Sequence, residues 1–172
     1  QGLAGVLVGP FIPEGKPLGT TMDVETAWAE AMSARAMVGD SYAWTNLSTF
    51  RGRGGKLIFT HGVSDPWFSA QDTVQYYERL GADNDEVPLD QWSRLFLVPG
   101  MGHCGGGERT LERFDLLDAI VEWVERDRAP DRVIASVASV PGESRPLCPY
   151  PAYAHYKGSG DARAAANYVC KR

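Results

Sequence analysis

The chain has 172 residues, 44% of them hydrophobic, and a formal net charge of -5. That length is enough to bury one real core, so it predicts one domain or a piece of a larger one. Lys and Arg are scattered among acids rather than gathered into a basic stripe, and no apolar stretch approaches the roughly 20 residues of a membrane span, so neither nucleic acid nor membrane is an expected partner.

Residues Gln1 to Thr20 are apolar but broken by Gly9-Pro10, Pro13, Gly15, Pro17 and Gly19, which reads as irregular structure or a short edge strand. From Asp23 to Val38 the chain turns Ala-rich, with Val24, Ala27, Trp28, Ala31, Met32 and Met37 near helical spacing; Asp23 can cap this helix and Gly39 can stop it. Asp40 to Gly55 is polar and reads as a linker or a loop returning to a sheet.

Lys56 to Thr60 is a short apolar run bounded by glycines, as a strand covered on both faces would be. Ser69 opens a helix over Ala70 to Leu80, Gly81 ends it, and an acidic, exposed loop is expected from Asp83 to Asp90. Arg94 to Val98 is a second buried strand, and Leu111 to Val124 is an amphipathic helix presenting Leu111, Phe114, Leu117, Ile120, Val121 and Val124. Strand, loop, helix repeated twice predicts an α/β sheet with parallel strands and flanking helices. The tail beyond Pro130 is rich in Pro, Gly and Tyr and is expected to be irregular.

Three cysteines leave one over in an oxidising compartment. Cys148 and Cys170 flank the tail, where a crosslink would be most useful, stabilising by roughly 3 kcal/mol in the chain-entropy model. Three reduced thiols in a cytosolic protein are the alternative, and paired metal-ligand spacings such as C-x-x-C are absent, so no metal is assigned.

Two ionisable side chains fall just past the carboxyl ends of the predicted strands, the edge of an α/β sheet where catalytic groups collect. Asp65 follows the first strand and His103 the second, in the glycine-rich run Pro99-Gly100-Met101-Gly102-His103-Cys104-Gly105-Gly106-Gly107. A carboxylate that holds an imidazole in one tautomer and stabilises its protonated form makes two thirds of a nucleophile, base and acid triad. Each also has an ordinary explanation as a turn residue, since Asp before Pro and His among glycines are common in turns.

The segments His61-Gly62-Val63-Ser64-Asp65-Pro66-Trp67-Phe68-Ser69 and Val98-Pro99-Gly100-Met101-Gly102-His103-Cys104-Gly105-Gly106-Gly107 resemble the acid and histidine motifs of the tannase and feruloyl esterase family of secreted α/β-hydrolases. Arg145-Pro146-Leu147-Cys148-Pro149-Tyr150-Pro151 and Tyr156-Lys157-Gly158-Ser159-Gly160-Asp161 extend the resemblance, which covers roughly Leu47 to Cys170. It implies that Asp65 is the triad acid and His103 the base, that Phe68 and with it Trp67 line an aromatic acyl pocket, and that Cys148 pairs with Cys170. For the two aromatics the alternative is a core position at a helix start.

The family's nucleophile sits in a Gly-x-Ser-x-Gly elbow, whose preceding cysteine is disulfide-bonded to the cysteine after the catalytic histidine. This chain has no such elbow. Gly39-Asp40-Ser41-Tyr42-Ala43 comes nearest, but Ser41 follows a predicted helix rather than a strand and has no neighbouring cysteine. The resemblance therefore implies the carboxyl-terminal part of an α/β-hydrolase fold. Residues 1–46 would be the end of a lid or insertion and 47–172 the remainder of the hydrolase domain, with Cys104 left over because its partner lies outside this chain.

The implied activity is hydrolysis of aromatic (phenolic) acid esters by a serine carboxylesterase, in a secreted or periplasmic location. The chain itself would be inactive until joined to the missing amino-terminal part of the same enzyme, and any calcium would belong to the missing lid region. A peptidase fragment of the prolyl oligopeptidase type and a non-catalytic α/β binding module are the alternatives; the second expects Asp65 and His103 to stay apart.

Overall fold

A computed structural model describes residues 44–172, together with Asp23, Glu25, Thr26 and Ala29. The chain divides into two compact units, Gln1–Trp44 and Thr45–Arg172. In the first, the Asp23 carboxylate accepts hydrogen bonds from the Glu25 and Thr26 N–H groups, and Glu25, Thr26 and Ala29 are helical. The rest of that expected helix, its stop at Gly39, the irregular segment from Gln1 to Thr20 and Ser41 lie outside the described residues.

The second unit is built on one pair of parallel strands, β1 (Leu57–Gly62) and β2 (Ser93–Val98), which run in register from Leu57 opposite Ser93 to Gly62 opposite Val98. Side chains alternate across a strand, so neighbouring residues of β2 feed two different cores. Phe96 and Val98 pack on one face with Met101, Val133, Ala135 and Leu147, while Leu95 packs on the other with Val74, Tyr77, Leu80 and Trp92. Ile58 and Phe59 of β1 divide in the same way. A strand pair covered on both faces is what its uninterrupted apolar runs require.

Helix α2 (Ala70–Ala82) covers the second face, burying Val74, Tyr77 and Leu80. It starts where Ser69 caps it, the serine side chain accepting from the Gln71 N–H. Gly81 does not end it. The helix runs on to Ala82, and a Cβ at Gly81 would stand 3.1 Å from the Leu89 side chain, so this glycine admits a close neighbour. The following segment is not uniformly exposed either. Asn84 is buried, its amide donating to the Thr45 and Leu80 carbonyls and its carbonyl accepting from the Leu47 N–H, which anchors the short helix α1 (Ser48–Gly52) inside what reads as a polar linker.

Helix α3 spans Leu116–Arg126, five residues later than the apolar periodicity starts, because Asp115 caps it by accepting from the Asp118 N–H. Leu111 and Phe114 still pack on the core, but from the non-helical approach. Trp123 is buried, with the Arg94 guanidinium stacked 4.9 Å from its ring centre, whereas Leu117, Val121 and Val124 are exposed.

The tail is not irregular. It forms two antiparallel pairs, β3 (Val133–Ser136) with β4 (Ser144–Leu147) and β5 (Tyr153–Tyr156) with β6 (Tyr168–Lys171). A disulfide joins Cys148 to Cys170, with Cα atoms 5.6 Å apart. The Tyr150 N–H donates to the Leu95 carbonyl, tying the tail to the free side of β2.

Candidate active site

The carboxyl ends of β1 and β2 touch through their backbones. A Cβ at Gly62 would fall 2.0 Å from the Gly102 carbonyl oxygen and 2.5 Å from that of Met101, so only glycine lets the two following loops meet this closely. The Val63 N–H donates to the Val98 carbonyl and the Ser64 N–H to the Met101 carbonyl, which fixes the loop carrying Asp65 against the loop carrying His103.

Asp65 and His103, 38 residues apart in sequence, are joined by a 2.7 Å hydrogen bond from His103 Nδ1 to Asp65 Oδ2. The other carboxylate oxygen accepts from the N–H groups of Trp67 (2.8 Å) and Phe68 (3.1 Å), an Asx-type turn that Asp-Pro favours. The Asp65 side chain is only 2% exposed. Burial alone would raise its pKa, but the His103 bond and the two backbone donors outweigh it and hold the carboxyl at about 2. An ionised acceptor makes Nδ1 the protonated nitrogen of a neutral imidazole, leaving the Nε2 lone pair free to take a proton.

Trp67 and Phe68 are not core residues. Their ring centres lie 4.9 Å and 5.3 Å from that of His103 and both are about half exposed, so they flank the imidazole. His103 itself is 38% exposed, and among the described residues it makes no hydrogen bond other than that to Asp65. Cys104, beside it, is a free, exposed thiol.

The histidine loop needs bracing, since Gly100, Gly105, Gly106, Gly107 and Arg109 all have positive φ. The Glu112 carboxylate accepts from the Gly106 N–H at 2.9 Å, and Arg109 donates through two nitrogens to one oxygen of Glu143, a buried carboxylate in the turn between β3 and β4. Charge-assisted bonds of this kind are among the stronger ones.

Sequence reasoning misses these braces, because an isolated Glu in a Pro-Gly turn carries no local signal. It misses His61 as well, whose ring lies between the acid loop and α2; its one mark in the sequence is a histidine at the last side-chain-bearing position of a strand, four residues before the acid.

Among the described residues no three His, Cys, Asp or Glu side chains gather to hold a metal, so no residue here is assigned to a calcium ion, and no helix is long and apolar enough to cross a membrane. A cavity of about 540 Å³, lined by residues including Val63, Leu97, Tyr150, Tyr153 and Tyr168, has neither Asp65 nor His103 in its wall.

Residues 19–171 match the sequence model of the family described as "Tannase and feruloyl esterase". The chain is 53% identical over 131 residues to mono(2-hydroxyethyl) terephthalate hydrolase of Piscinibacter sakaiensis, covering 73% of this chain and 21% of that protein. It is 32% identical over 143 residues to feruloyl esterase B of Aspergillus niger, covering 73% of this chain and 27% of the relative. The crystal structure of feruloyl esterase B from Aspergillus oryzae superposes with a TM-score of 0.73 at 25% identity, over 88% of this chain and 33% of that one. The chain thus spans roughly a fifth to a third of the length of these proteins.

Proposed function

Because this chain belongs to the tannase and feruloyl esterase family, we propose that it forms the acid and base portion of a serine carboxylic-ester hydrolase acting on esters of aromatic, phenolic acids. The observation that carries this reading is the 2.7 Å bond between the buried Asp65 carboxylate and His103 at the carboxyl ends of adjacent parallel strands. Nε2 of His103 takes the proton of a serine hydroxyl as its oxygen attacks the ester carbonyl carbon. The resulting imidazolium, held by Asp65, then delivers that proton to the departing alcohol oxygen; water enters by the same route in reverse to release the acid.

The serine, the oxyanion donors and most of the lid are assigned to residues of a longer polypeptide outside this chain, in keeping with the share of its relatives that the chain covers. In this reading residues 1–46 end the lid, 47–172 complete the hydrolase domain, and Cys104 pairs with a cysteine beside the nucleophile. Trp67 and Phe68, flanking His103, form one wall for the acyl ring. The Cys148–Cys170 disulfide favours a secreted or periplasmic enzyme.

The test compares the full-length polypeptide with the 172-residue chain on methyl ferulate and on a chromogenic prolyl peptide. The full-length enzyme is expected to cleave the ester and spare the peptide, and the chain alone to hydrolyse neither above the buffer rate. Peptide cleavage by the full-length enzyme, or ester hydrolysis by the chain alone at the full-length rate, would overturn the reading.

A further inference from the structure

We propose that His61 is a positioning residue for this reaction: its imidazole clamps the Phe68 carbonyl and thereby holds the acid loop in the shape that aims Asp65 and the aromatic wall at His103. The inference rests on the reading of Asp65 and His103 as acid and base.

His61 stands at the end of β1 with its side chain only 13% exposed. Its Nε2 lies 3.2 Å from the Phe68 carbonyl oxygen and 3.5 Å from Asp65 Oδ2, the oxygen that holds His103. Both neighbours are acceptors, so Nε2 must carry a proton; a bare lone pair there would face two oxygens. On the other side of the ring, Nδ1 lies 2.7 Å from Thr73 Oγ1 in the first turn of α2. A hydroxyl both donates and accepts, so Thr73 donates to Nδ1 and selects the tautomer with the proton on Nε2.

The clamp acts at the residue that matters most to the loop. Phe68 donates its N–H to Asp65 Oδ1, presents its ring to His103 and accepts from His61 through its carbonyl, so one peptide segment links all three groups. Pro66 and Trp67 bulge outward with exposed side chains and nothing else described bonds the Phe68 carbonyl. Without the imidazole, that carbonyl turns to water and the loop loses the side-chain bridge that fixes it against Thr73, keeping only its covalent junction with α2 at Ser69. The N–H that steadies Asp65 and the ring that flanks His103 shift with it. An ångström of misplacement at a catalytic pair lowers turnover by up to about a hundredfold.

The experiment uses the full-length enzyme with methyl ferulate, and active serines are counted with a fluorophosphonate so that kcat refers to correctly folded sites. His61→Ala is expected to lower kcat per titrated site roughly 10- to 100-fold with KM changed less than about threefold. His61→Gln, whose side-chain amide N–H reaches the Nε2 position, should restore most of that loss, and Thr73→Val should lower kcat by releasing the tautomer. With isotopically labelled histidine, NMR should show His61 protonated on Nε2 and the His103 Nδ1–H resonance displaced in His61→Ala. The proposal is overturned if kcat per site in His61→Ala stays within about twofold of wild type, if Gln is no better than Ala, or if His61 is protonated on Nδ1 alone. An enzyme that hydrolyses no ester and takes up no fluorophosphonate would refute the functional reading, and the positioning role with it, while the NMR measurements would still decide whether His61 clamps the loop.

Discussion

Replacing Asp65 with asparagine removes one charge while keeping the shape of the side chain, and the structure says how the amide will sit. One oxygen of Asp65 accepts two backbone N–H bonds, from Trp67 and Phe68, and the other accepts one from His103. An asparagine satisfies the two fixed backbone donors only by turning its carbonyl toward them, so its NH2 group faces Nδ1 of His103. The imidazole can rotate its proton where the backbone cannot: Nδ1 becomes the acceptor, and Nε2 carries the hydrogen in the wrong tautomer for a base. Loss of tautomer with geometry intact lowers turnover by about 10⁴-fold in a triad of this kind. The assay is methyl ferulate hydrolysis by the full-length Asp65→Asn enzyme near neutral pH, with an unchanged circular dichroism spectrum as the control for folding. Activity within about tenfold of wild type would mean that the imidazole does not depend on Asp65 for its tautomer, and the catalytic reading would fail.

The pH response of stability follows from the same carboxyl. Its pKa is depressed from 3.8 to about 2, so its stabilising contribution is fully present above pH 3.8 and is lost as pH falls through about 2. Melting temperatures of wild type and Asp65→Asn should therefore differ above that range and converge in acid; a difference that grows on acidification would reverse the sign and refute the assignment. Gly62→Ala places a methyl group 2.0 Å from a backbone oxygen that no rotamer change can move, and is expected to cost about 1–3 kcal/mol in urea unfolding. Ester hydrolysis should fall with it, and a fully stable, fully active variant would contradict the close approach of the two loops. Removing the Cys148–Cys170 bond, which closes a separation of 22 residues, should lower unfolding free energy by about 3 kcal/mol while leaving the Asp65–His103 hydrogen bond in the NMR spectrum.

The juxtaposition of Asp65 and His103 is legible in the sequence because both sit where local signals are strongest. The apolar runs around Leu57 and Arg94 are bounded by glycine or by turns; the loop after the first holds Asp65 next to proline, and the loop after the second holds His103 among glycines. Helix ends were less legible, because hydrophobic periodicity does not distinguish a helix from the extended segment that leads into it. Leu111 and Phe114 keep the expected spacing and face the core, yet the Asp115 cap starts the helix only after them. Leu117, Val121 and Val124 keep the expected helical spacing but are exposed in the second unit. The tail is illegible for a different reason: its strands are only four residues each, and long-range pairing rather than composition makes them strands. The clamp at His61 and the brace at Glu143 depend on contacts across the fold, to which no sequence window is sensitive.

The contact between Gly62 and the Gly102 carbonyl also bears on how such enzymes can be recombined. The loops that follow the two strands interlock at their roots, so neither is an independent cassette. A chimaera that sets the histidine loop beside a strand carrying any residue larger than glycine at position 62 drives a Cβ into the main chain of that loop. Swaps that carry residues 62–68 and 98–112 together, with glutamate kept at position 143, preserve both that fit and the braces of the histidine loop.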